Sequence, residues 1–345
     1  MARTRFSIAT FNLYNLNRPG MPVYTDTDGW SEEQYKAKID WTASVIRRVG
    51  ADAWGFQELW HRDALADVFA LAGLRDEYTL LVPPDHIGQR IVCAGAVRNE
   101  ILVGDPVWID QFPDHFRLES SGDDPQTPQI RVEIDAFSRP VLSYRIRPRR
   151  NGAPISVFVA HLKSKGPTKV YREAWYRAEQ EYYRVHSEGV GSALSTIRRT
   201  AEALALRMML TDAFKGNDEP AIVLGDRNDG ADSNTLGIVT GEPRFLTSPL
   251  YPGGSDTDLY SMGRLLALRS FRDVYFTHTY QGSHESLDHI LVSQELYDSS
   301  RKRQWAFRRA EILNDHLGRD DHKESGTGDH GIVSVEFEYW PVTQE

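Results

Sequence analysis

Asp226 and Asn228 stand two residues apart at the end of an apolar run, Ile222-Val223-Leu224-Gly225-Asp226-Arg227-Asn228-Asp229. Positions i and i+2 of an extended segment face the same side, so a buried strand would present both side chains to one ligand. A carboxylate base and a neutral amide donor aimed at one point suit hydrolysis of a phosphate ester. Turns rich in Asp, Asn and Gly follow many strands, so the pair gains weight only from similar features elsewhere.

Five further segments have that form. Phe6-Ser7-Ile8-Ala9-Thr10-Phe11-Asn12 ends on an amide, and Ala53-Trp54-Gly55-Phe56-Gln57-Glu58 ends on a carboxylate. Val157-Phe158-Val159-Ala160-His161-Leu162-Lys163 ends on an imidazole with a lysine two residues on. Asp288 opens the apolar run Leu287–Val292, and Asp329-His330 directly precedes Ile332–Phe337. Each residue alone fits a helix cap, a strand-edge turn or a core-edge histidine. Together, polar groups at the ends of strands in two facing sheets can converge on one cleft.

The elements that must carry these ends are strand-like runs at 6–11, 53–56, 78–82, 91–97, 132–136, 141–146, 155–160, 221–224, 287–292 and 332–337. Helices are expected over 31–49, 63–71 and 195–214. The first opens with a Ser31/Gln34 capping box and ends at Gly50. Many strands with dispersed helices imply an α/β fold of two packed sheets with helices outside, in one domain over 1–345. Residues 167–191 read as an insertion holding a helix of about five turns, with Tyr171, Trp175, Ala178, Tyr182 and Val185 on one apolar stripe. That stripe is expected to pack on the body; the alternative is a lid or an aromatic platform for bases. Asp315–Gly328 reads as a polar surface loop, with His316 and His322 solvated rather than ligating.

Composition narrows the function classes. The chain has 345 residues, 40% hydrophobic and 26% charged, ordinary for a soluble globular protein. No apolar run approaches the roughly 18 residues of a membrane span. The start, Met1-Ala2-Arg3-Thr4-Arg5-Phe6, lacks an apolar leader, so a cytoplasmic location is expected unless a leader has been removed. A net charge of −9 argues against a non-specific nucleic-acid binder held by a broad basic surface. It leaves room for an enzyme that meets phosphate locally. The single cysteine, Cys93, lies in an apolar run; an inert buried thiol is expected, and a cysteine-based zinc site is excluded.

In order, Thr10-Phe11-Asn12, Gln57-Glu58, His161-Leu162-Lys163-Ser164, Gly225-Asp226-Arg227-Asn228, Leu287-Asp288-His289-Ile290 and Gly328-Asp329-His330 resemble the endonuclease/exonuclease/phosphatase superfamily. His161-Leu162-Lys163-Ser164-Lys165-Gly166 is most similar to its bacterial extracellular-type nucleases. The resemblance implies a four-layer α/β sandwich, two mainly antiparallel sheets flanked by helices, with metal-dependent phosphodiester hydrolysis, most of all of DNA. It implies that Glu58 and Asn12, with Asp329 near or on the ion, hold Mg²⁺ or Mn²⁺. Asp226 would activate water, Asn228 would donate to the phosphate, and His161 would contact the scissile phosphate as donor or general acid. Asp288 would orient His330, acting as base or electrostatic clamp. Lys163 and Arg139 are further candidate phosphate contacts. The family usually has an aromatic or aliphatic residue where Arg227 stands, and Asp-Tyr or Asp-Arg where Asp288-His289 stands; Arg227 is therefore a candidate for tuning substrate choice. The alternatives are a small phosphorylated substrate (a nucleotide, phosphoinositide or sphingolipid head group) or a catalytically silent binding protein on the same fold.

Overall fold

The computed structural model describes residues 4–24, 27–241, 254–270 and 275–342, so Met1–Arg3 of the N-terminal reading lie outside it. The chain runs β1 (Arg5–Leu16), α1 (Glu32–Val49), β2 (Ala53–His61), α2 (Arg62–Leu71), β3 (Tyr78–Leu81), β4 (Ile87–Arg98) and β5 (Leu102–Gln111). It continues with β6 (Glu119–Ser120), β7 (Ile130–Arg131), β8 (Ala136–Ile146), β9 (Ile155–Val159), α3 (Ala174–Ala178), α4 (Gln180–Tyr183), α5 (Ser187–Phe214) and β10 (Ala221–Asp226). It ends with α6 (Asn234–Thr240), β11 (Tyr260–Ser261), α7 (Met262–Arg269), β12 (His278–Tyr280), β13 (Ser283–Glu285), β14 (Asp288–Val292), β15 (Trp305–Leu313), α8 (His322–Ser325) and β16 (Ile332–Tyr339).

Two six-stranded sheets form the body of the described residues, in the orders β15-β16-β1-β2-β4-β3 and β11-β14-β10-β9-β8-β5. Each sheet is antiparallel except for one pair near its middle: β1 with β2, and β9 with β10. A parallel pair cannot be joined by a hairpin and needs a crossover, usually a helix. α1 supplies the first crossover, and α5 with its preceding segment supplies the second. The two parallel pairs therefore place the carboxyl ends of β1, β2, β9 and β10 beside the amino ends of their antiparallel neighbours β14 and β16.

Alternation along the strands builds the layers. Ile222 and Leu224 of β10 face a core shared with Ile8, Val157, Ile290 and Val335 between the sheets. Ala221 and Val223 face Leu206 and Leu210 of α5. On the outer face of the first sheet, Phe11 and Phe56 pack on Ile39, Ile46 and Phe69 of α1 and α2. The result is a four-layer α/β sandwich, helices outside two mainly antiparallel sheets. Among the described residues, no helix is long and apolar enough to cross a membrane.

Three local expectations need correction. Residues 132–135 carry no strand; Val132 N–H donates to the Leu118 carbonyl, and regular pairing begins at Ala136. The five-turn helix expected within 167–191 is instead a 3-10 turn, α3, α4 and the first turn of α5, interrupted where Glu173 turns extended (ψ 144°) and Glu179 leaves helical geometry (φ −127°). The stripe does not pack on the body: Tyr171, Trp175, Tyr182 and Val185 are 48, 41, 64 and 76% exposed, and it is Tyr176 that is buried. Short helices gain their stability from packing, and this segment lacks it along its length. Finally, Asp315–Gly328 folds inward: His316 Nε2 lies 2.8 Å from the His330 carbonyl, and His322 Nδ1 2.8 Å from Thr327 Oγ1.

Candidate active site

β10 ends at Asp226, and the chain turns immediately before it. Gly225 has φ 128°, and a side chain there would overlap the Ala160 carbonyl, so this kink requires glycine. Beyond it, Asn228 adopts φ 53°, unusual for a residue with a side chain. Its N–H donates to Asp226 Oδ1 at 2.7 Å, and its Nδ2 donates to Leu162 O (2.9 Å) and Asp226 Oδ2 (3.2 Å). Asp226 Oδ2 also receives Asn12 Nδ2 at 3.3 Å, and faces His161 Nε2 at 3.4 Å and His330 Nε2 at 3.8 Å. Burial pushes the Asp226 carboxyl up to about 7; His330 opposes that and Asp288 adds to it. Burial thus leaves it a carboxyl poised near neutrality.

Asp288 begins β14, directly across the ladder from Asp226. Its Oδ2 lies 2.8 Å from His330 Nδ1, while Thr277 Oγ1 accepts from the N–H groups of Leu287 and Asp288. The Thr277 carbonyl accepts from Gly331 N–H at 2.6 Å, so one threonine positions both members of the Asp288–His330 pair. Burial alone would push His330 down; Asp288 and then Asp226 outweigh it and raise the imidazole well above its ordinary value. His161 goes the other way. Burial, then Arg139 and His330, push it well below its ordinary value, leaving a neutral donor.

Glu58 stands not at a strand end but at a bulge inside β2, where pairing shifts between Phe56 and Leu59, and Asp329 stands just before β16. Glu58 has φ 59°, and Tyr14 and Asn15 of β1 have φ 49° and 55°, a cluster of strained backbone of the kind that accumulates at functional sites. Asn15 N–H donates to Glu58 Oε2 at 3.0 Å. Burial and then repulsion from Asp329 raise the Glu58 carboxyl, whereas His330, Arg139 and an Asn12 hydrogen bond pull it down. Asp329 Oδ1 is buried with no hydrogen-bond partner. Two neighbouring carboxylates, one with an orphaned oxygen, and the Asn12 amide oxygen form a hard-oxygen donor set that fits Mg²⁺ or Mn²⁺.

The remaining sequence candidates separate. Arg139 Nη1 donates to the Leu162 carbonyl at 3.1 Å, which holds it at the rim beside Glu58 and His161. Lys163 lies on the same loop, its Nζ within 3.3 Å of Ser164 O, Ser164 Oγ and Gly166 O. Arg227 is the correction. It is fully buried, with Nη1 and Nη2 given to the Ala160 and Leu224 carbonyls at 2.7 and 3.2 Å. Alternation about the Gly225 kink turns it away from the cleft, and it braces the strand ends from beneath instead of meeting substrate.

Residues with no motif of their own complete the arrangement. Glu202 of α5 accepts from Lys163 N–H (2.7 Å), Ser138 N–H (2.8 Å) and the Ser138 hydroxyl. One turn away, Arg199 pairs with Asp229 at 3.1 Å and donates to the Lys163 and Ser164 carbonyls. The crossover helix thus fastens the His161 loop and the Asp226 loop together; a charged pair at helical spacing inside an apolar face was the available sequence signal. His278 bridges His330 across an isolated ladder contact, its ring 5.1 Å from the His330 ring, with ligand atoms close to those of Asp329. It opens the short β12–β13 hairpin, paired with Glu285, and no sequence pattern marks it.

Among curated proteins, no sequence matches this chain. Solved structures do. An endonuclease/exonuclease/phosphatase family protein from Bacteroides thetaiotaomicron is 14% identical, with a TM-score of 0.57 over 98% of this chain and 99% of that one. The human Nocturnin catalytic domain with bound sulfate is 17% identical, at 0.55 over 98% and 96%. A mannosyl-6-phosphatase from Bacteroides thetaiotaomicron is 15% identical, at 0.54 over 96% and 99%. At such identities these likenesses speak to the fold. The family model for the endonuclease/exonuclease/phosphatase family matches residues 9–330, from the strand bearing Asn12 to His330 itself. The chain belongs to that family, whose members are metal-dependent phosphoesterases.

Proposed function

We propose that the protein hydrolyses phosphodiesters of nucleic acid, DNA above all, with Mg²⁺ or Mn²⁺. The observation that carries the chemistry is the convergence of Asn12, Asn228, His161 and His330 on Asp226 Oδ2. Glu58, Asp329 and Asn12 would hold the ion. When bound, it supplies polarisation of the phosphoryl group and charge for the leaving oxygen.

The side chains do the rest. Asp226 orients the attacking water and takes its proton at Oδ2. His330, held cationic by Asp288, and His161, a neutral donor, face the same oxygen and are placed to meet phosphoryl oxygens. Asn228 reaches a phosphate oxygen by exchanging its Asp226 contact and keeping Leu162 O. Substrate class is supported by the rim. The exposed rings of Tyr171, Trp175 and Tyr182 follow the His161–Gly166 loop along the chain, and that loop and Thr168 are tied to α5 by Ser195 Oγ to Gly166 O (2.8 Å) and Thr168 N to Gly191 O (3.1 Å). Aromatic faces following a lysine-bearing loop suit unstacked bases and backbone phosphate.

The test is turnover of plasmid DNA, single-stranded DNA, RNA, sugar phosphates and bis(p-nitrophenyl) phosphate, with Mg²⁺ or Mn²⁺ and with chelator. Metal-dependent cleavage of DNA is the expected result. Cleavage of small esters alone would replace the nucleic-acid assignment with a small-substrate one, which a net charge of −9 would suit. Silence with every substrate and metal would leave a binding protein.

A further inference from the structure

Lys38 of α1 is fully buried, a position lysine rarely occupies without a partner. Its Nζ donates to the Thr327 carbonyl at 2.9 Å. The ammonium otherwise sits against three rings: Trp41 at 5.2 Å, Tyr14 at 5.5 Å and Trp30 at 5.7 Å from their centroids. Burial lowers the ammonium to about 7, against the opposing pull of Asp329 and Glu58, and ring faces of this kind favour the charged form. The loop it holds leads two residues later to Asp329 and then His330.

The fit between helix and loop is close on both sides. Gly326 presses against α1 so tightly that a side chain there would overlap the backbone of Ala37 and Lys38. His316, against the Trp41 ring at 5.0 Å, reaches the His330 carbonyl, and His322, against the Tyr14 ring at 6.0 Å, reaches Thr327 Oγ1. Tyr14 itself lies on the strained end of β1, two residues beyond Asn12. The cation therefore links both halves of the expected ion site: the β1 end through a ring, and the Asp329 loop through a carbonyl.

We propose that Lys38 is a positioning residue, a buried ammonium in an aromatic box that latches the Gly328–His330 loop onto α1 and so sets the placement of Asp329 and His330. This rests on the reading of Asp329 and His330 as site residues, and it assigns Lys38 no contact with substrate. The geometry parallels the other side of the cleft, where α5 fastens the His161 and Asp226 loops with Arg199 and Glu202. Each crossover helix braces the strand ends that it helps to bring together.

Lys38→Met keeps the length and apolar stem while removing the cation and its donors. The comparison is Ile46→Ala, a cavity in the same helix away from the loop. Three quantities are measured well below melting: amide hydrogen exchange over 326–331, Mn²⁺ affinity by electron paramagnetic resonance, and kcat and KM on bis(p-nitrophenyl) phosphate. Removing a group that orients ligands costs about 10- to 100-fold in affinity or activity. Lys38→Met is therefore expected to weaken Mn²⁺ about tenfold or more, lower kcat with little change in KM, and speed exchange selectively at 326–331. Ile46→Ala should lower Tm and leave all three near wild type. Should Lys38→Met fail to fold, Trp41→Phe thins the box while keeping the ammonium, and faster exchange confined to 326–331 is again expected. Exchange at 326–331 and Mn²⁺ affinity both within twofold of wild type in the folded variant would overturn the proposal. A wild-type protein without esterase activity would instead overturn the proposed function, and exchange would still judge the latch.

Discussion

Asp226 Oδ2 is shared by two amides and two imidazoles, and that crowding dictates how the site answers to substitution. Asp226→Ala removes the base, and His330→Ala removes the strongest cation facing it. Each is expected to lower kcat by about a thousandfold with the circular dichroism spectrum unchanged. Near-wild-type turnover in either variant would refute the roles assigned here. Lys163 sets a pH signature. Burial, followed by Arg139, lowers its ammonium to about 8, so the charge is present at neutral pH and lost as pH rises through that value. KM for DNA should climb about threefold to tenfold between pH 7 and 9, the loss of one charge-assisted contact. In Lys163→Met that climb should vanish, and identical profiles for the two proteins would remove Lys163 from the phosphate-binding group. At this scale the motifs were legible because each acidic, amide or imidazole group directly follows or precedes an apolar run, although β1 and β2 continue past Asn12 and Glu58 through shifts in register. Arg227 was not, because its direction depends on the kink at Gly225 rather than on its neighbours in sequence.

Among the elements, those buried on both faces announced themselves and so did the edge strand β3, but the edge strands β5 and β15 did not. β10 and β14 are fully buried, and apart from the site residues at their cleft ends they read as apolar runs, Ala221–Leu224 and Ile290–Val292. β5 and β15 lie at sheet edges and carry Asp105 and Pro106 or Arg308 and Arg309; β5 has no fully buried residue, and β15 buries only Trp305, Ala306 and Phe307. Charge and proline at edges guard against pairing with other chains, and the same residues obscure the strand pattern. The 170–185 segment shows the converse failure: its helical spacing was real, but spacing alone does not sustain a helix. With its rings exposed, the double variant Trp175→Ala/Tyr182→Ala should reduce kcat/KM on single-stranded DNA relative to bis(p-nitrophenyl) phosphate by about tenfold or more, at about 1–3 kcal/mol per stacked base. An unchanged ratio would reassign these rings to some other partner.

The whole molecule carries an electrostatic cost at its centre. Glu58 and Asp329 face each other across the expected ion site, and Asp329 Oδ1 has no donor. Excess Mg²⁺ or Mn²⁺ should therefore raise Tm; an ion at a hundred times its Kd contributes about 2.7 kcal/mol of stability. Asp329→Asn should abolish most of that rise, and a wild-type Tm indifferent to both metals and to chelator would argue against this donor set. Three apolar layers run along the two sheets, one between them and one on each outer face. From the amino-acid sequence alone came the strand ends, the chemistry of their polar residues and the α/β class, because alternation and turn chemistry are local properties. Tertiary structure alone decided that Arg227 faces inward, that the histidine loop folds beneath Asp329, and that α1 and α5 brace the cleft. Those outcomes depend on the register of two sheets and the path of two crossovers, which no short stretch of sequence contains.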